Sequence, residues 1–227
     1  MKAWLALLLA LLALAGCSEP SALPLRVGLN PWVGYDPLVL ARERRLLDPA
    51  QVRVVELLSN TETQRALRNG QIDGAAMTLD EALRLADEGV ALKIVAVLDI
   101  SSGAGAVLVV SADAWVKRRD PVLELLVGWE RGRRALLADP PSAAALLASG
   151  VDLTPAQYLA TLEGLQLQTL ADSVHWLAGQ PAPLAQYAEG LARTLQRLGL
   201  IRHPPDWPAL LDGRSAAAAQ SRLVKSP

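Results

Sequence analysis

Four short segments of this 227-residue chain bring turn formers together with hydroxyl, carboxylate or aromatic side chains: Asn30–Asp36, Ser59–Thr63, Met77–Asp80 and Asp99–Ser102. Thr61 and Thr78 stand at helix starts, where hydroxyls and free backbone N–H groups favour an anion such as a sulfonate, nitrate, phosphate or carboxylate. Trp32 and Tyr35 can wall a site or stack on a flat ligand. Asp36, Asp80 and Asp99 pull the other way, toward an amine. The set as a whole suits a zwitterion or a neutral heterocycle better than a bare anion. Trp32, Tyr35, Thr61, Thr78 and Asp99 are the expected ligand-binding residues. Each has a simpler structural reading: Thr61 and Thr78 as plain helix caps, Asp36 and Asp80 as first-turn carboxylates that stabilise their helices, Trp32 as a lid over the core.

The elements that must position these segments alternate. Short apolar or β-branched runs at Leu25–Leu29, Val52–Leu57, Ile72–Met77, Leu92–Leu98 and Ala104–Val110 read as strands. Between them, helices run from Asp36 or Pro37 to Leu46, from Thr61-Glu62-Thr63-Gln64 to Asn69-Gly70, and from the capping box Thr78-Leu79-Asp80-Glu81 to Gly89. Strand–helix alternation at this spacing predicts an α/β fold with a mostly parallel sheet flanked by helices. Ligands in such sheets bind beyond the carboxyl ends of the strands, and all four polar segments fall there. After Val110 only helices are expected, over 120–138, 142–148, 154–162, 170–177 and 184–198, so the C-terminal half reads as all-helical.

Enzyme chemistry finds little support. His175 and His203 lie in the helical half beside Trp176 and Pro204, and read as surface or packing residues. There is no Gly-x-Ser-x-Gly elbow. Ser101-Ser102-Gly103-Ala104-Gly105 leads into a strand and lacks the lysine of a phosphate loop. One cysteine and two distant histidines make no transition-metal set, so no metal and no cofactor is expected. A formal net charge of −1, with both signs interspersed, gives no electrostatic case for nucleic acid.

Two stretches carry a family likeness. Asn30-Pro31-Trp32-Val33-Gly34-Tyr35-Asp36-Pro37-Leu38 is one; Arg65-Ala66-Leu67-Arg68-Asn69-Gly70-Gln71-Ile72-Asp73-Gly74-Ala75 with Met77-Thr78-Leu79-Asp80-Glu81 is the other. Together they resemble the first lobe of the nitrate, sulfonate, taurine and thiamine-precursor binding proteins of ABC importers. The likeness covers Leu25 to Val110 and extends more loosely over the helices from Asp113 to about Leu200. It implies a periplasmic-binding-protein-like (type II) fold, a small-molecule solute, permease and ATPase partners, and no catalysis. Members of that family have two lobes that close on the ligand. Here a second lobe is missing, its expected place lying between Val110 and Ser111, with Ala106–Val110 as a fusion of the two interlobe crossings. A single lobe leaves the site half-walled. A second copy of the chain, or another envelope protein, would then supply the other wall, and an interaction protein derived from such a lobe is the alternative function.

The N-terminus adds an address. Met1-Lys2, the apolar run Ala3–Leu14 and the sequence Leu14-Ala15-Gly16-Cys17 resemble a bacterial lipoprotein signal, which implies lipidation of Cys17 and a membrane-anchored protein facing the periplasm or cell exterior. The run is too short to span a hydrocarbon core of roughly 30 Å. The expected organisation is a signal peptide over 1–16, lipidated cysteine and tether over 17–24, one α/β lobe over 25–212 with βα units to 110 and returning helices from 113, and a disordered Ala/Ser-rich tail over 213–227. Inner and outer membrane both stay open.

Overall fold

The computed structural model describes residues 23–225 apart from 102 and 104. The signal segment, Cys17 and most of the tether therefore lie outside the described residues. Five strands form one sheet in the order β2-β1-β3-β5-β4: β1 Leu25–Leu29, β2 Val52–Glu56, β3 Gly74–Thr78, β4 Leu92–Asp99 and β5 Ala106–Ser111. β1 pairs parallel with β2 and β3. β5 runs antiparallel to both of its neighbours, from Gly74↔Val110 to Thr78↔Ala106 on one side and from Leu92↔Ser111 to Asp99↔Ala106 on the other. Four strands point one way and β5 points back, so the sheet is mixed, two of its pairings parallel and two antiparallel, and it is flanked by helices as expected.

Every residue of β5 except Ser111 is buried, and its side chains alternate between two cores, as the period of two requires. Leu108 and Val110 join Leu25, Val27, Leu38, Trp129 and Ala219. Val107 and Val109 join Ala75, Met77, Ile94, Leu83 and Leu195. Helices must therefore cover both faces. α1 (Asp36–Glu43), α4 (Ala112–Lys117), α5 (Arg119–Ala138) and α12 (Gly213–Lys225) serve the first core; α2 (Asn60–Arg68), α3 (Leu79–Asp87), α9 (Pro183–Tyr187), α10 (Glu189–Arg197) and α11 (Trp207–Leu210) serve the second. α8 (Leu170–Leu177) contributes Leu170 to the first and Leu177 to the second. α6 (Pro140–Leu147), a 3-10 turn at Ala148–Val151 and α7 (Pro155–Glu163) make a third cluster with Val33 and Leu40, built around the fully buried Tyr158.

Three expectations are corrected. The tail is not disordered: 213–225 is helical. Asp212 anchors its start, accepting from Ser215 N at 3.2 Å and from Trp115 Nε1 at 2.8 Å, and the small side chains of Ala216 and Ala219 let the helix bury itself against the sheet and α5. Alanine richness here reflects helix propensity and close approach. The predicted helix over 184–198 is two helices, α9 and α10, meeting at Ala188. The junction of Val110 and Ser111 is also not where a second lobe would enter. Because β5 is antiparallel, Ser111 lies opposite Leu92 at the amino end of β4 and directly caps α4, its hydroxyl accepting from Ala114 N at 3.1 Å. The connection from β4 to β5 lies at the edge where β1, β3 and β4 end, and a lobe facing that edge would have to join there.

The crossing of α1 and α5 has no spare room. A Cβ at Gly132 would lie 1.8 Å from the Pro37 carbonyl oxygen and 3.1 Å from Ala41 Cβ, whereas one at Gly190 in α10 meets nothing within 4 Å. Gly132→Ala should lower stability in urea unfolding by about 1–3 kcal/mol. Gly190→Ala should raise it by about 0.5–1 kcal/mol.

Candidate functional site

The carboxyl ends of β1, β3 and β4 and the start of β5 form one edge, and the polar segments meet on it. After β1 the chain makes a single 3-10 turn, Val33–Tyr35, before α1 starts with proline at its second position. The turn folds the Trp32 and Tyr35 rings against each other, edge to face, with centroids 4.6 Å apart. Tyr35 is buried and Trp32 half-buried. Burial pushes the Tyr35 phenol up, and the nearby charges of Glu81, Asp80 and Asp99 add to it. Those three carboxylates come from the ends of β3 and β4, which places the aromatic pair beside an acidic cluster.

Glu81 organises that cluster. It is buried, and its Oε1 accepts from Asn60 Nδ2 at 2.8 Å and Gln64 Nε2 at 3.0 Å, both on α2, while Oε2 accepts from Thr78 N at 3.0 Å. One carboxylate thus holds the start of α3 and locks α2 to it. Thr78 turns its hydroxyl to Asp80, donating at 2.6 Å. Three donors at this helix start are thus taken within the protein: Thr78 N by Glu81, the Thr78 hydroxyl by Asp80, and Leu79 N by the Gly105 carbonyl at 2.9 Å. Asp80 also meets Arg84 one turn along, at 3.4 Å, and Arg84 Nε is buried without a partner.

Asp99 ends β4 fully buried and uses both oxygens. Oδ2 accepts from Ser101 N at 3.1 Å and Ser101 Oγ at 2.6 Å; Oδ1 accepts from Gln166 N at 2.7 Å. It shapes the turn toward β5 and ties down the chain entering α8. Thr61 is the expected site residue that this network leaves out: it is exposed in the first turn of α2, whose cap is Ser59, accepting from Glu62 N at 3.2 Å. The start signal read at Thr61-Glu62-Thr63-Gln64 lies two residues late.

Sequence reasoning passed over the other wall. Trp176 on α8 and Tyr187 on α9 meet edge to face at 5.7 Å, with His175 beside Trp176. A Cβ at Gly105 would sit 3.8 Å from the Tyr187 ring, which puts this aromatic pair against the turn between β4 and β5. Gln168 fixes it, accepting from Trp176 Nε1 at 2.9 Å while its own N–H donates to Leu98 O at 2.8 Å. No local pattern reveals a contact across some eighty residues. His203 is exposed and pairs with Asp87 at 3.0 Å, well away from these aromatics in the chain and on the far end of α3.

Asp36 is a different case. It opens α1, only 4% exposed, and its Oδ2 has no partner. The Tyr158 hydroxyl is buried beside it, out of hydrogen-bond alignment. Burial pushes the Asp36 carboxyl up to about 7; the Tyr158 hydroxyl partly offsets this, and Glu56 adds to it. An acid whose folded pKa lies above its unfolded value binds its proton more tightly when folded. Its stability contribution is therefore complete below about pH 4 and is lost progressively as pH rises to about 7, by up to about 4 kcal/mol. Asp36→Asn should remove that loss: unfolding free energies of the two proteins, compared between pH 4 and 8, should diverge in favour of the variant.

A family model, that of the NMT1-like family, matches residues 18–176. No curated protein sequence matches the chain. Among solved structures, the chain is similar to the periplasmic aliphatic sulphonate binding protein SsuA from Escherichia coli, with 13% identity, 86% of this chain and 92% of that chain covered, and a TM-score of 0.68. It is also similar to the ligand-binding component of an ABC-type import system from Staphylococcus aureus, at 10% identity, 87% and 99% coverage and a TM-score of 0.67. The alkanesulfonate-binding protein SsuA from Xanthomonas axonopodis pv. citri, bound to MOPS, matches at 14% identity, 86% and 99% coverage and a TM-score of 0.63. At these identities the structural likeness speaks for the fold. The chain belongs to the NMT1-like family and has the periplasmic-binding-protein fold of the substrate-binding components of ABC importers.

Proposed function

We propose that the protein is the lipid-anchored, extracytoplasmic solute-binding component of an ABC importer, reduced to its first lobe. In this reading Cys17 carries the lipid, the strand-end edge receives a small zwitterion or heterocycle, and permease and ATPase subunits take it onward without any catalysis by this chain. The observation that carries the reading is the convergence of the aromatic pair Trp32–Tyr35 and the polar cluster Thr78, Asp80 and Asp99 on one edge of a fold used for solute binding. Thr61, exposed in the first turn of α2, belongs in this reading to the rim of the proposed site. The charge of the edge refines the ligand. Three carboxylates surround Tyr35 and already engage the α3 start, while Arg84 keeps one donor free. An ammonium group toward Asp80 and an acidic group toward Arg84 would suit it, so an aminosulfonate or an amino-substituted heterocycle fits better than nitrate.

One wall makes weak binding. The described residues form a single sheet, and with no second lobe to close by hinge motion the edge stays wet. We expect affinity of the order of 1 mM, or about −4 kcal/mol. Leu58, 89% exposed at the end of β2, supports a second reading in which this edge meets another envelope protein or a second copy of the chain.

Calorimetric titration with taurine and with MOPS tests the first reading. Binding should be weak in the native protein and vanish in the double variant Trp32→Ala, Thr78→Ala; undiminished affinity there would move the site elsewhere. A mass of one chain by light scattering, together with detectable binding, favours the solute-binding reading, and a dimer favours the second. Cys17→Ser should shift the protein from the membrane to the soluble fraction of fractionated cells, and an unchanged distribution would refute the anchor.

A further inference from the structure

At the β1 end of the strand-end edge, a cavity of about 190 Å³ opens between the loop after β1, the first turns of α1 and the 3-10 turn at Ala148–Val151. Two of its lining residues present buried oxygens without partners, Asn30 Oδ1 and Asp36 Oδ2, and the hydroxyl of Tyr158, also unpartnered, is buried beside Asp36. Four buried side-chain polar atoms lack a partner among the described residues; two of them, Asn30 Oδ1 and Asp36 Oδ2, belong to the cavity lining, and a third, the Tyr158 hydroxyl, lies behind Asp36. Each such atom costs about 1–3 kcal/mol when left unmet, and a native structure carries few of them. Their convergence on one cavity points to an occupant that brings donors.

We propose that this cavity is a binding site for a primary ammonium group carried on a short alkyl chain. Three features of the site select that chemistry. An ammonium has three donors and no acceptor, matching two acceptor oxygens and a hydroxyl. A hard metal ion such as calcium asks for six to eight oxygens, and the site offers three. The charges agree. Arg42 at the mouth is held by Glu43 at 2.8 Å and by Glu56, so two acids outweigh one base even before Asp36 ionises. A helix start attracts anions, but at α1 Asp36 itself occupies that end. The remaining lining is apolar, from Leu29, Val39, Leu147 and Val151, which suits a hydrocarbon stem. The volume is below the roughly 300–1,000 Å³ of sites for drug-sized ligands, so the occupant has only a few heavy atoms. The cavity shares Tyr35 and the Asn30–Asp36 segment with the strand-end site and so rests partly on that reading, but it uses neither Trp32 nor Thr78.

Binding should follow the ionisation of Asp36. The groups that face it are Tyr35 from the turn before α1, Tyr158 from α7, Glu56 from β2, and Arg42 and Glu43 from its own helix; the 3-10 turn at Ala148–Val151 contributes only Ser149, Gly150 and Val151. Asp36 is the one among them with a pKa near 7, so affinity should fall at least about tenfold from pH 8 to pH 5.5.

The test is calorimetric titration of the whole chain with n-propylammonium chloride at pH 8, with n-propanol and potassium chloride as controls. Saturable binding by the ammonium alone is expected. Asp36→Asn should weaken it by about thirtyfold or more, and Tyr158→Phe, which removes one hydroxyl, should weaken it several-fold. Circular dichroism and the melting temperature show that both variants fold. Absence of saturable binding by the native protein overturns the proposal. So does equal binding by Asp36→Asn, or an equal response to propanol or to potassium. Neither Trp32 nor Thr78 lines this cavity, so propylammonium binding by the double variant Trp32→Ala, Thr78→Ala separates failure here from failure of the strand-end reading.

Discussion

The antiparallel pairing of β5 between β3 and β4 is the constraint on which the rest of the molecule depends. Its ladders run along both sides of the strand, five residue pairs to β3 and six to β4, and they join β4 to a sheet that would otherwise end at β3. Both faces of β5 are apolar and covered, so helices are required on each side of it. The reversal also sets direction: the turn at 100–105 falls on the edge where β1, β3 and β4 end, and Ser111 falls on the opposite edge. Asp99, Gly105 and, through Gly105, Tyr187 occupy their places because of that reversal.

Buried carboxylates do much of the remaining work. Glu81 and Asp99 each accept three hydrogen bonds, joining near neighbours to distant groups: Glu81 holds Thr78 together with Asn60 and Gln64, and Asp99 holds Ser101 together with Gln166. They fix the strand-end loops rigidly, and in doing so they use the donors that an anionic ligand would have needed. A rigid and acidic edge is the outcome. Asp36 shows the opposite arrangement: the same residue type, equally buried, has been left with an oxygen unmet.

Local signals read well where physical chemistry is local. The apolar run at Leu25–Leu29, the β-branched run at Val52–Glu56, the proline-started α7 with its Thr154–Gln157 capping box, and α8 over Leu170–Leu177 needed only neighbours in sequence. Trp32 and Tyr35, three residues apart, were bound to meet once a turn formed between them. The misreadings share one cause. Alanine and serine in 213–225 signify disorder only if nothing covers them, and Asp212 with the α5 and α8 surfaces supplies what covers them. Thr61 looked like a cap and a ligand contact, but Ser59 takes the cap and leaves its hydroxyl in solvent. Trp176 and Tyr187 reach the edge only because α8 folds back across β4 and α9 packs on α8.

The sequence alone determined the class of the fold, the four strand-end segments and the likeness that led to the NMT1-like family, because strand and helix periodicity, caps and turn residues act over a few positions. Tertiary structure decided the direction of β5, the order of the C-terminal helix, the sharing of Glu81 and Asp99 among distant partners, and the cavity at Asp36. Each of these depends on groups separated by tens of residues, whose meeting is set by burial and by the demand that buried polar atoms find partners.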